Sequence, residues 1–167
     1  KLKPLGGLAR KKKLIEQLKT LGSPYLVVDS GDLFFKATSA PDYLKEQWKL
    51  QAEFLIEQFN DIGCDGIGLG ETDFALGLDF LLDLQKKAKF PFLNANIVDR
   101  QTKKPIFKSH VIKQVRGLKF GIFSVIDSSL FLPEKVEVLN EVEIARKMVQ
   151  ELSPQVDFII ALTHEGV

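Results

Sequence analysis

The sequence predicts a layered α/β domain, and three observations carry that prediction. Short continuous apolar runs, at residues 25–29, 66–69 and 158–162, alternate with amphipathic stretches of helical period. Continuous rather than alternating apolarity points to strands buried on both faces, as in a parallel sheet. Each run ends in a polar cluster able to ligate a metal: YLVVDSGD at Asp32, GIGLGETD at Glu71 and Asp73, and FIIALTHEG at His164. In open α/β sheets, ligands bind beyond the carboxyl ends of the strands. The three clusters are therefore expected to share one crevice.

The elements follow in order. A helix is expected over 8–21, with Leu8, Leu14, Ile15, Leu18 and Leu21 on one face and lysines opposite, closed by Gly22, Ser23 and Pro24. The strand at 25–29 precedes a long helix over 41–62, whose expected core contacts are Trp48, Phe54, Leu55 and Phe59, with Gly63 as C-cap. A strand at 66–69, a helix over 78–88 and a third short strand at 91–95 come next. Residues 109–114 and 118–125 alternate around Arg116-Gly117 and read as a hairpin. A helix over 142–152, stopped by Ser153-Pro154, leads to the last strand at 158–162.

Composition bounds the function. At 167 residues the chain can bury the core of one domain. A net charge of +1 gives no bulk electrostatic case for nucleic acid or membrane binding. The basic run at 10–13 reads as the solvated face of a helix. No apolar run approaches the roughly 18 residues of a membrane span, and no signal peptide is visible. Cys64 is the only cysteine, so it has no intramolecular disulfide partner. Its neighbours Gly63 and Asp65 supply no positive charge to activate a thiolate. The chain starts at Lys1 rather than Met and stops just after a strand end. Residues 1–167 are thus expected to be a partial domain, completed by further sheet segments or a partner chain.

Several residues are candidates for chemistry. Gly31 permits a sharp turn that throws Asp32 into the crevice, where a carboxylate could bridge two metal ions; the competing reading is a turn or helix-cap aspartate. Glu71 and Asp73 cannot both point the same way from an extended segment, so at most one is a ligand. Thr72 or Asp73 would also serve as an N-cap. His164 offers an imidazole at a strand end, against the reading of a histidine satisfied in a loop. Asn94 and Asn96 are expected to form a turn by side-chain hydrogen bonding. His110, in the hairpin, is assigned no role.

Together these segments resemble the metallophosphoesterase (calcineurin-like) domain of the 5′-nucleotidase and UDP-sugar hydrolase family. The matching stretches are GGLARKKKLIEQLK from Gly6, YLVVDSGDLFF from Tyr25, NDIGCDGIGLGETDFALG from Asn60, FPFLNANI from Phe90, GLKFGIFSVID from Gly117 and VDFIIALTHEGV from Val156. The resemblance implies a layered sandwich of mixed sheets flanked by helices, two divalent metal ions, and a phosphate-ester or nucleotide substrate outside the cytoplasm, in the periplasm or extracellular space. Asp32 matches the family's bridging metal carboxylate and His164 a histidine ligand of the second metal. Glu71 stands where the family's GNHEFD-type motif has an asparagine ligand. Thr72 and Ala75 occupy the positions of that motif's catalytic histidine and its orienting aspartate. The family's Asp-x-His motif should precede Gly6 and is not found in Lys1 to Leu5, and a paired-histidine motif would lie beyond Val167. The resemblance thus implies a metal-dependent phosphoester hydrolase whose dyad is replaced, or a non-catalytic relative used for binding or assembly.

Overall fold

The computed structural model describes residues 7–165; Gly6 of the first matching stretch, residues 1–5 and the terminal pair 166–167 lie outside them. β1 (Val28–Asp29) and β2 (Gly66–Ile67) pair in parallel, Val28 opposite Gly66. Bridges from Ile67 to Phe92 and from Leu93 to Lys108 extend this layer. A second sheet has the order β4 (His110–Val115), β5 (Leu118–Ile126), β7 (Phe158–His164), antiparallel between β4 and β5 and parallel between β5 and β7. Arg116 and Gly117 both have positive φ, 50° and 86°. That is the geometry of a two-residue type I′ hairpin turn.

Period-two alternation along β5 explains the layering. Phe123 and Val125 pack against Met148 and Leu152 of α4 (Glu141–Leu152). Ile122, on the other face, joins Leu93, Leu162, Val28 and Val111 between the two sheets. The outer face of the first sheet is covered by α2 (Lys45–Ile62), through Ala52, Ile56, Phe59 and Ile62, and by α3 (Leu78–Lys87), through Leu81 and Leu84. Phe34, Phe59 and Phe92 are fully buried there. Each such ring contributes about 2–3 kcal/mol of burial. The result is a sandwich of mixed sheets with helices on both outer faces, and among the described residues no helix is long and apolar enough to cross a membrane.

Several expectations change. The strands expected at 25–29 and 66–69 pair over two residues each, Val28–Asp29 and Gly66–Ile67. The strand at 91–95 shrinks to single bridges at Phe92 and Leu93, and beyond them the Ala95 N–H donates to the Ser124 carbonyl of β5 instead. A short antiparallel ribbon of β3 (Ile97–Asp99) and β6 (Val136–Val138) appears where none was expected. The long helix begins as a 3-10 turn at Asp42–Leu44. Finally, apolar stripes are wider than the seams they bury. Phe54 is 54% exposed on α2, and Leu14 and Leu21 are exposed at α1 (Leu8–Thr20), whose buried contact is Ile15.

The two asparagines after Leu93 divide the work. Asn94 Oδ1 accepts from the N–H groups of Asn96 and Ile97 and makes the expected turn. Asn96, fully buried, ties the sheets together instead. Its amide donates to the carbonyls of Ile126 and Leu139, and its Oδ1 accepts from the Ile126 N–H at 2.9 Å.

Candidate functional site

Asp32 stands on a loop whose shape has identifiable causes. Gly31 has φ +116°, and a Cβ there would lie 2.5 Å from the Gly70 nitrogen. Only glycine lets these two loops touch. Asp32 itself is left-handed at φ 54°, an uncommon conformation for a residue with a side chain. Its N–H is held at 2.9 Å by Asp73 Oδ2. Its carboxylate accepts from the Thr72 N–H at 3.0 Å through Oδ1. Gly70 makes room for that oxygen, since a Cβ there would come within 2.2 Å of it.

Glu71 opens a 3-10 turn, Glu71–Phe74, that directs alternate acids in opposite senses. Glu71 reaches outward and meets His164, the last residue of β7. Glu71 Oε2 accepts from His164 Nε2 at 2.7 Å, and Asp32 Oδ2 lies 3.4 Å from the same nitrogen. One ligand-capable atom from each of the three residues lies within 4.8 Å of the others. The side chains are partly exposed, 31% for Asp32, 22% for Glu71 and 17% for His164. The strand positions His164 firmly: its backbone pairs with Ile126, and its carbonyl accepts from the Asp127 N–H. Among the described residues no lysine or arginine pairs with Asp32 or Glu71. Two carboxylates and an imidazole on one solvent-accessible space form a donor set that fits a divalent cation.

Asp73 turns inward, and sequence reasoning missed this role. It is fully buried, and its carboxylate accepts from the N–H groups of Asp32, Phe34 and Gly70. Burial pushes its pKa up to about 6, against the pull of the Gly70 and Phe34 N–H groups. One signal was available: an acid three residues after a glycine is placed to accept the N–H that opens a helical turn.

Thr72 and Ala75 take no part in the cluster through their side chains. Thr72 is buried, and its hydroxyl donates to the Phe35 carbonyl at 2.8 Å. Ala75 packs against the core. Cys64 is buried and its thiol is pushed up to about 12, chiefly by desolvation. It is inert at neutral pH. His110 opens β4 beside the Ser109 hydroxyl.

No protein-family model matches the chain. Two relatives are similar over 96% of it. One is a 2′,3′-cyclic-nucleotide 2′-phosphodiesterase/3′-nucleotidase of Salmonella typhimurium, 27% identical over 179 residues. The other is a 5′-nucleotidase of Vibrio cholerae, 30% identical over 172 residues. The chain spans 28% and 30% of their lengths. Among solved structures, the calcineurin-like phosphoesterase YfkN from Bacillus subtilis superposes with a TM-score of 0.77 at 26% identity, over 100% of this chain and 56% of that one. A 5′-nucleotidase precursor from Thermus thermophilus gives 0.78 at 26% identity, over 98% of this chain and 32% of that one. By sequence and by fold, the chain is a relative of the 5′-nucleotidases and has the calcineurin-like phosphoesterase fold.

Proposed function

We propose that this chain supplies metal-holding residues of a 5′-nucleotidase-like phosphoester hydrolase acting in the periplasm or outside the cell. The observation that carries this reading is the convergence of Asp32, Glu71 and His164 from three strand ends. In the whole protein Asp32 would bridge two divalent cations, with Glu71 and His164 on the second. A divalent cation held by these residues would supply Lewis-acid chemistry toward a phosphoryl oxygen and activation of water. The chain's own residues do the positioning. The Thr72 N–H fixes the Asp32 carboxylate, and β7 fixes the imidazole. To act as a ligand, His164 Nε2 must exchange its 2.7 Å contact with Glu71 Oε2 for the cation.

Calorimetric titration of Mn²⁺ into the chain tests this directly. Wild-type protein is expected to bind, and Asp32→Asn, Glu71→Gln and His164→Ala are each expected to weaken binding by about tenfold or more. Equal affinity in wild type and Asp32→Asn would remove the assignment. A phosphate monoester or a nucleotide is the substrate class to assay with the metal-loaded protein.

A second reading is a non-catalytic relative that binds or assembles outside the cytoplasm. Thr72 favours it, because its hydroxyl is committed to Phe35 and cannot serve as a proton donor to a leaving group. The double substitution Thr72→His with Ala75→Asp separates the two. A degenerate enzyme is expected to gain about 10²-fold or more in turnover. No gain, with metal still bound, favours the binding role.

A further inference from the structure

Among the described residues, β4 accompanies β5 no further than Phe123, which lies opposite His110. β5 continues to Ile126, and on its other edge β7 follows it to the end, with Ile126 opposite His164. Ala95 and Asn96 take the place that β4 leaves. The Ala95 N–H donates to the Ser124 carbonyl at 2.8 Å. The Asn96 side chain does the rest. Its Oδ1 accepts from the Ile126 N–H at 2.9 Å, and its Nδ2 donates to the Ile126 carbonyl at 2.7 Å. One carboxamide thus engages both backbone groups of one residue, as a residue on a neighbouring antiparallel strand does.

Asn96 is itself held in one orientation. It is fully buried. Its N–H donates to Asn94 Oδ1 at 2.9 Å, and its carbonyl accepts from the Leu139 N–H at 2.8 Å. Its Nδ2 also donates to the Leu139 carbonyl at 2.9 Å. Each of its polar atoms has a partner, and a buried network satisfied in this way is rigid. The clasp reaches the cluster through the backbone. The N–H of Asp127, the residue after Ile126, donates to the His164 carbonyl at 2.9 Å. His164 presents Nε2 at 2.7 Å from Glu71 Oε2 and 3.4 Å from Asp32 Oδ2. It is the last residue of its strand, and strand ends open at little cost unless they are tied down. The fixity of Ile126 therefore decides where the imidazole stands.

We infer that Asn96 is a positioning residue for the metal-holding cluster: by clasping Ile126 it fixes the end of β5 against which β7 sets His164. The inference rests on the proposed metal-holding reading. The hydrogen bonds of the Asn96 side chain go to Ile126 and Leu139, not to Asp32, Glu71 or His164, so its effect passes through the sheet.

Asn96→Asp tests it, because the shape is kept while the donor facing two carbonyls is lost. Leu84→Ala, which empties a fully buried position on α3, is the stability control. Mn²⁺ affinity is read by calorimetry, coordination geometry by the visible absorption spectrum of the Co²⁺-loaded chain, and stability by melting temperature. Asn96→Asp is expected to weaken Mn²⁺ binding by about tenfold or more and to alter the Co²⁺ spectrum. Leu84→Ala is expected to lower the melting temperature and leave both metal readings unchanged. Wild-type affinity and spectrum in Asn96→Asp overturn the positioning role and leave the metal reading intact, as does an equal loss of affinity in Leu84→Ala. If Asn96→Asp does not fold, hydrogen exchange of the wild type decides. A clasp that favours the metal is favoured by it in return, so Mn²⁺ is expected to slow exchange of the Ile126 and Asp127 amides more than that of the α3 amides. Equal slowing overturns the role. Failure of the wild type to bind Mn²⁺ at all overturns both readings.

Discussion

Asp73→Ala is expected to destabilise the chain by about 4 kcal/mol, a large share of the stability of an ordinary domain. The substitution leaves the N–H groups of Asp32, Phe34 and Gly70 without their acceptor. A buried donor left unsatisfied costs about 1–3 kcal/mol, and water entering the vacated space recovers part of the sum. Asp73→Asn keeps one acceptor oxygen and should cost about half as much. Urea unfolding of the three proteins measures both numbers. A midpoint for Asp73→Ala close to wild type would show that the carboxylate does not hold the loop. The pH dependence has a definite sign. The folded pKa is raised, to about 6 from 3.8. The group's contribution to stability is therefore fully present below 3.8 and is lost as pH rises through about 6. Asp73→Asn should remove that part of the slope in metal-free protein.

Gly31→Ala is expected to be nearly as damaging, for a different reason. The added Cβ meets backbone, 2.5 Å from the Gly70 nitrogen and 2.7 Å from the Leu69 carbonyl carbon, where no side chain can swing aside. The φ of +116° adds conformational strain that an L-residue does not tolerate. A cost of about 3–5 kcal/mol corresponds to a fall of about 10 °C in melting temperature for a chain of this size. A scanning calorimetry trace within a degree or two of wild type would mean that the two loops separate easily. The two substitutions act on one structure from opposite sides: Asp73 draws the Asp32 loop in, and Gly31 permits the approach.

The three outward residues were legible because each terminates an apolar run, and the boundary between buried strand and polar loop is written in composition. Asp32, Glu71 and His164 accordingly meet as the strand ends suggested. The inward acid was not legible in the same way. Asp73 is as polar as its neighbour Glu71, and only the third dimension separates a ligand-capable side chain from a buried brace. The β3–β6 ribbon escaped notice because its strands have three residues each, too few to display a period of two. Phe54, Leu14 and Leu21 were expected inside because helical periodicity marks a stripe about 100° wide. The contact seam of α2 and of α1 is narrower than that stripe.

The contact between His164 and Glu71 joins residues 93 apart in sequence. Loop closure over such a span is entropically costly and is rewarded only when most of the intervening chain has already condensed. The cluster therefore cannot exist in a chain that has formed only its helices or its hairpin. Its appearance, followed by any probe that needs all three side chains, would time the last act of folding.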